Sequence, residues 1–297
     1  MASSRRVRAG SYRIPAMTSP AAARTALVTG ASTGIGRASA LALHAAGLTV
    51  IAAMRTPDRT GLPDGVRVVE LDVDDDASVA AAFEAAGPVD VLVNNAGTSP
   101  TGATEDFPIE AWHALFETNL FGAVRCTRAV LPHVRAVGGV IVNISSFVAR
   151  VSHPAMGAYG ASKAALEAWS EALGAELVAF GGRVVVIEPG AIRTPIQQKT
   201  QPPPRESVYR DANRNWGLAS QSIHARASDP EVVAAAVVQA ATDPSCPFRV
   251  PVGQGAAELL AWREKLSDEA WIATWGQPTD GFVAAYREEF GVDLRKR

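Results

Sequence analysis

Short, unbroken apolar runs alternate with helical stretches from residue 25 to residue 189, and this alternation constrains the fold more than any other feature of the chain. Residues 25–29, 48–54, 66–71, 89–93, 139–145 and 183–188 are the apolar runs, each bounded by glycine, proline or polar residues. Their length and continuous apolar character predict buried strands. Between them, residues 37–46, 77–86, 112–131 and 159–180 carry helical periodicity; Gly47 closes the first helix and Pro132 is expected to end the third. Strands apolar on both faces require cover on both sides, which a parallel sheet with helical crossovers supplies. Right-handed crossovers then make the sheet doubly wound.

The expected fold class is therefore α/β: a single doubly wound parallel-sheet (Rossmann-type) domain over 24–255, followed by a helical C-terminal extension over 256–297. Residues 1–23 carry arginines and no acid and are read as a basic, disordered tail. Residues 196–228 are polar, contain Pro202-Pro203-Pro204 and show no sustained periodicity, so they are expected to form a substrate loop. Asp229-Pro230-Glu231 reads as a helix start leading to Ala241, with a last strand near 248–252. In the extension, Trp262, Trp271, Trp275 and Tyr286 are expected to be packing anchors.

Composition excludes several function classes. The 297 residues are 47% hydrophobic and 20% charged, with a formal net charge of −2. That balance gives no reason to expect nucleic acid or an anionic membrane as partner, and no apolar stretch reads as a membrane span. Cys126 and Cys246 form no spaced motif, so neither a disulfide framework nor a metal site is indicated; a reducing cytoplasm fits best.

Two constellations carry chemistry. Gly30, Gly34 and Gly36 follow a strand and open a helix, where glycines allow positive φ and close backbone approach, and helix N-terminal amides face a phosphate. The spacing differs from the G-x-G-x-x-G fingerprint. Tyr159 and Lys163 share one helix face, which sets an ammonium beside a phenol and is expected to lower the phenol's pKa.

In order along the chain, Thr29-Gly30-Ala31-Ser32-Thr33-Gly34-Ile35-Gly36, Asn94-Asn95-Ala96-Gly97, Asn119, Ser146, Tyr159-x-x-x-Lys163 and Pro189-Gly190-Ala191-Ile192-Arg193-Thr194 stand at spacings that resemble the short-chain dehydrogenase/reductase family. The resemblance covers residues 25–194. It implies that Tyr159 exchanges a proton with the reacting oxygen, that Lys163 lowers its pKa and holds the nicotinamide ribose, and that Ser146 hydrogen-bonds the reacting oxygen. Asn119 would hold a water linking Lys163 to solvent. Ser145, facing the other side of its strand, is read as a strand-end hydroxyl bonded to backbone. The cofactor-binding set implied is Gly30, Ser32, Thr33, Gly34, Ile35, Gly36, Arg55, Asp72, Val73, Asn95, Ala96, Gly97, Tyr159, Lys163, Pro189, Gly190, Ile192 and Thr194.

Cofactor identity turns on the end of the second strand. Met54 stands where the family's NAD enzymes carry an acid, and Arg55 stands where many of its NADP enzymes carry a base. A guanidinium can hold a 2′-phosphate by paired hydrogen bonds. NADP(H) is therefore the expected cofactor, with NAD(H) as the alternative. Asp74 to Asp76 read as a helix start rather than a site. His153 precedes a proline, has no metal partner and reads as a loop residue near the substrate pocket. Arg205, Tyr209, Arg210, Arg214 and Trp216 are the loop's candidate substrate contacts. The expected activity interconverts a secondary alcohol and a ketone or aldehyde, in a homodimer or homotetramer. A nucleotide-sugar epimerase or dehydratase-like enzyme and a non-catalytic NADP-binding regulator are the alternative readings.

Overall fold

All the expected strands form, and they join one sheet. The computed structural model describes residues 24–195 and 207–295; residues 1–23, 196–206 and 296–297, and with them the expected basic tail and Arg205, lie outside that description. Strands β1 (Thr25–Thr29), β2 (Thr49–Met54), β3 (Val66–Glu70), β4 (Val91–Asn94), β5 (Val140–Ile144), β6 (Arg183–Pro189) and β7 (Arg249–Val252) pair in the order β3-β2-β1-β4-β5-β6-β7, all parallel. The strand order reverses between β1 and β4, and such a switch point opens a crevice at the C-terminal ends of the strands.

Alternate side chains of each strand feed two cores. On one face Ala26, Val28, Val50, Val93 and Val142 meet α1 (Gly34–Ala45) and α7 (Pro230–Thr242) through Leu43, Val233 and Val237. On the other, Leu27, Ile51, Leu92 and Ile141 meet α2 (Asp76–Ala86), α4 (Gly122–Val137) and α5 (Gly157–Leu177) through Val79, Val130 and Leu173. Asp75 caps α2 by accepting from the Ala77 amide, so the acidic run is a helix start as expected.

The third helix departs from expectation. It begins as α3 (Ile109–Phe116), passes through a π turn at Glu117–Phe121, and continues as α4 beyond Pro132 to Val137. Pro132 lies on the exposed side of α4, where water can satisfy the carbonyl that loses its amide partner, so the helix tolerates the proline.

The 196–228 segment is also not all loop: α6 spans Arg210–His224. Its buried positions, Asn215, Ala219 and Ile223, fall at helical spacing, yet only one is strongly apolar. Asn215 instead donates to the carbonyls of Trp275 (3.3 Å) and Gln277 (3.0 Å), a polar anchor that hydropathy does not register. The extension forms α8 (Ala256–Lys265), α9 (Asp268–Gly276) and α10 (Thr279–Phe290). Trp262, Trp271, Trp275, Phe282 and Tyr286 are buried in one aromatic cluster, as anchors should be. Asp229 starts α7 without a side-chain cap bond and pairs with Arg193 instead. No helix among the described residues is long and apolar enough to cross a membrane.

Candidate active site

The glycine turn joins β1 to α1 at the switch point. Gly30 and Gly34 have φ of +65° and +55°, values that favour glycine. A side chain at Gly36 would place its Cβ 2.4 Å from both the Gly30 carbonyl and the Asn95 amide nitrogen. Asn95 Nδ2 donates to the carbonyls of Thr29 (2.9 Å) and Gly30 (3.2 Å), while the Thr29 hydroxyl accepts from the amides of Asn95 and Ala96, both at 3.0 Å. The end of β4 thus fixes the turn. Ser32 and Thr33 are exposed, the first turn of α1 carries no acid, and Thr33 makes no side-chain cap bond. That leaves the first-turn amides open at a glycine-lined edge, a fit for a phosphate.

Around this turn lie the other expected cofactor contacts. Met54 is buried at the end of β2, and Arg55 beside it is exposed. Asp72 and Val73 follow β3; the Asp72 carboxylate accepts from the Asp74 amide at 3.1 Å. Burial raises the Asp74 carboxyl, and the charge of Arg55 works against that rise. A Cβ at Gly190 would sit 2.1 Å from the Gln254 carbonyl, so this position requires glycine. Ile192 is buried and bridges to Ser228, and a Cβ at Gly34 would lie 3.2 Å from the Thr194 side chain. The segment after Pro189 therefore closes onto the glycine turn.

The polar residues expected to be catalytic converge past Gly97. A Cβ at Gly97 would stand 3.1 Å from Asn119 Oδ1 and 3.6 Å from Lys163 Nζ. Asn119 sits in the π turn; its Oδ1 accepts from the Thr98 amide (2.8 Å), and its Nδ2 donates to the Thr98 carbonyl and the Ser162 hydroxyl, each at 3.0 Å. Lys163 is buried and donates to the Ile144 carbonyl at 2.8 Å. Ser146 is buried and opens a 3₁₀ turn, accepting from the Val148 amide at 3.3 Å.

The expected lowering of the Tyr159 pKa is not what this structure holds. Burial pushes the phenol up to about 12, and its hydrogen bond with Ser146 acts the other way. Lys163 Nζ lies 6.0 Å from the ring centroid, turned to Ile144, and is itself pushed down to about 8 by burial, against the raising effect of Glu167. Ser145 also differs from expectation: its hydroxyl donates to Glu167 Oε1 at 2.6 Å, not to backbone. His153 lies in a loop, as expected, but is buried there, stacked on Trp216 at 3.8 Å, and burial lowers its pKa to about 3. Of the other loop candidates, Tyr209 donates to Glu105 at 2.8 Å, while Arg210 and Arg214 are exposed. The described residues hold no cluster of His, Cys, Asp or Glu that could bind a metal.

Comparison with known proteins agrees with this fold. The family model described as short chain dehydrogenase matches residues 24–205. The chain belongs to the short-chain dehydrogenase/reductase family. An uncharacterized oxidoreductase of Bacillus subtilis, YusZ, is 35% identical over 268 residues, covering 84% of this chain and 95% of that protein. A short chain dehydrogenase from Burkholderia cenocepacia, solved in complex with NADP, is similar at 29% identity and TM-score 0.70, covering 86% of this chain and 98% of that one. A 3-ketoacyl-(acyl-carrier-protein) reductase from Brucella melitensis, complexed with NADH, is similar at 27% identity and TM-score 0.67, covering 79% and 98%. This chain is thus an oxidoreductase of that family.

For this member of the short-chain dehydrogenase/reductase family, sequence reasoning assigned no role to three supporting residues. Thr29 ties β1 to the Asn95 loop; Ser162 links Asn119 to the Tyr159 carbonyl, to which it donates at 2.8 Å; Glu167 holds Ser145. Ser162 directly precedes Lys163 between the two helix residues, and Glu167 stands four residues beyond Lys163, on its helix face.

Proposed function

We propose that this enzyme interconverts a secondary alcohol and a ketone or aldehyde, using NADP(H) in preference to NAD(H). The observation that carries the reading is the convergence of Asn119, Ser146, Tyr159 and Lys163 beyond Gly97, next to a glycine turn whose helix amides are open. When bound, the nicotinamide would supply or accept the hydride. The amides at Gly34 and Ile35, with Ser32 and Thr33, would hold its phosphates; Asp72, Val73 and the Asn95-Ala96-Gly97 turn would border the adenosine, and Pro189, Gly190, Ile192 and Thr194 the nicotinamide. Arg55 would hold a 2′-phosphate, with no acid at position 54 to favour a free 2′-hydroxyl.

Tyr159 would carry the proton. Its raised pKa keeps the phenol protonated at neutral pH, the state required to protonate a carbonyl oxygen during reduction. Ser146 would hydrogen-bond that oxygen as charge develops on it. Lys163 would hold the ribose hydroxyls and, once turned toward the phenol, favour the phenolate needed for alcohol oxidation. Asn119, in the π turn, would hold the water that returns protons from solvent.

Two further parts of the reading concern the whole molecule. For a homodimer or homotetramer the candidate contact is a groove between α4 and α5, where Leu131, Pro132, Leu173, Leu177 and Phe180 are flanked by the charged Arg128, Arg135 and Glu176. A reducing cytoplasm suits the two free cysteines, Cys126 and Cys246. The experiment that tests the function assays a panel of ketones, aldehydes and secondary alcohols with NADPH/NADP and NADH/NAD. Turnover favouring the phosphorylated cofactor is expected. A strong NADH preference would reject the role of Arg55, and no turnover across the panel would reject the activity.

A further inference from the structure

Three consecutive residues at the end of β5 are gripped by three successive turns of α5. The Ile144 carbonyl accepts from Lys163 at 2.8 Å, the Ser145 hydroxyl donates to Glu167 at 2.6 Å, and Ser146 stands close enough to the Tyr159 phenol to lower its pKa. Tyr159, Lys163 and Glu167 recur at intervals of four and so share a helix face. Glu167 is buried, and a buried carboxylate persists only where charge and hydrogen bonds compensate it. Its Oε1 takes the Ser145 hydroxyl, and its Oε2 takes the Arg249 Nε at 3.1 Å.

We propose that Glu167 is a positioning residue of the reaction centre: it fixes the Ser145–Ser146 end of β5 and supplies the negative charge that faces the Lys163 ammonium. This deepens the proposed function and rests on it for the catalytic roles of Ser146 and Lys163. The groups around the Lys163 ammonium are neutral: the Ile144 carbonyl, Gly97, Asn119 and the Tyr159 ring. The surrounding charges belong to the same network. Arg249 on β7 also pairs with Glu171 on α5 at 3.2 Å, and Glu188 at the end of β6 lies 3.5 Å from Arg150. Arg150, after the 3₁₀ turn, reaches Glu264 on α8 at 3.3 Å. Of these groups, Glu167 stands on Lys163's own helix face, and its charge opposes the burial that would strip Lys163 of its proton.

The test follows Lys163 directly. The sequence has four lysines, Lys163, Lys199, Lys265 and Lys296, so the ¹³C-lysine NMR spectrum of the full chain is sparse, and Lys163→Arg assigns its signal. In the wild type the Lys163 signal should titrate near 8. Glu167→Gln, which keeps a side-chain oxygen for Ser145, should move that midpoint down by about one unit. Glu167→Asp should restore much of it, and Ser145→Ala, which keeps the carboxylate, should leave it in place. With a substrate from the panel, the alkaline limb of kcat/KM should move with the NMR midpoint in Glu167→Gln. In Ser145→Ala, kcat should fall at every pH while the limb stays. An unchanged Lys163 midpoint in a folded Glu167→Gln protein, or in Glu167→Met, an uncharged side chain of similar length, if the glutamine variant does not fold, overturns the inference. A shifted midpoint with no turnover in the wild type would instead reject the proposed activity and leave the charge coupling standing.

Discussion

Trp271 ties the C-terminal extension to the segment between Ser146 and Tyr159, and removing it should cost both stability and rate. Its indole N–H donates to the Ser152 carbonyl at 2.7 Å, and its ring packs edge-on against Trp262 at 5.0 Å and Trp275 at 5.7 Å. The side chain is 4% exposed. Trp271→Ala deletes a buried aromatic ring and leaves a cavity, a loss of about 3–5 kcal/mol. Trp271→Phe keeps most of the packing but leaves the Ser152 carbonyl without its donor, a loss of about 1–3 kcal/mol. At about 2–4 °C per kcal/mol for a chain near this size, thermal unfolding should fall by about 6–20 °C for alanine and about 2–12 °C for phenylalanine. Residues 147–158 join Ser146 and Tyr159, the two side chains proposed to contact the reacting oxygen, so loosening them should also lower kcat/KM of the alanine variant by about tenfold or more. Differential scanning calorimetry and initial rates measure both quantities. An alanine variant that melts within about 2 °C of the wild type would refute the buttressing role assigned to the extension.

Other outcomes follow from single sites. Arg55→Ala should weaken NADPH binding by about tenfold or more, the loss of a hydrogen-bonded charge, and leave NADH binding nearly unchanged; calorimetric titration with each cofactor decides it. Burial holds His153 near 3, below its unfolded value of 6.5, so between those limits the unfolded chain binds a proton that the native ring does not. Its stabilising contribution is complete above pH 6.5 and is lost as pH falls toward 3, by about 1.4 kcal/mol per pH unit. Between pH 7 and pH 5 the unfolding free energy from urea titration should therefore drop less for His153→Phe than for the wild type, by about 2 kcal/mol, and equal drops would contradict the burial argument. Phe180, 49% exposed beside the α4–α5 groove with Arg135 over its ring, should lie in a subunit contact. Light scattering should give a dimeric or tetrameric mass that Phe180→Lys reduces, and a monomeric wild type would reject that contact.

The fold was legible wherever hydrophobicity alone decides structure. The runs at β1, β2, β4, β5 and β6 are buried on both faces, so each stood out as an apolar block between turn residues. Failures came where polar contacts replace apolar ones. α6 is anchored by Asn215 through two backbone carbonyls, and its stripe is otherwise Ala219 and Ile223, too weak a pattern to read as a helix. Pro132 was a poor stop signal because it faces solvent. At the site, short-range spacing paired Tyr159 with Lys163, but the direction of the pKa shift depends on burial and on which acceptor the ammonium chooses. Lys163 turns to Ile144, and desolvation then dominates the phenol. Glu167 and Ser145 are far apart in sequence and meet only because β5 and α5 lie side by side.

The central claim is that Tyr159 carries the proton in a hydride transfer. Replacing Tyr159 with Phe removes one hydroxyl and keeps the ring in its packing site. Single-turnover oxidation of NADPH, followed at its absorbance band with a carbonyl substrate found in the panel, tests the claim most directly. The variant should bind NADPH as the wild type does and lose at least about a hundredfold in rate, the scale of a general acid's contribution. A variant that oxidises NADPH at the wild-type rate would contradict the account.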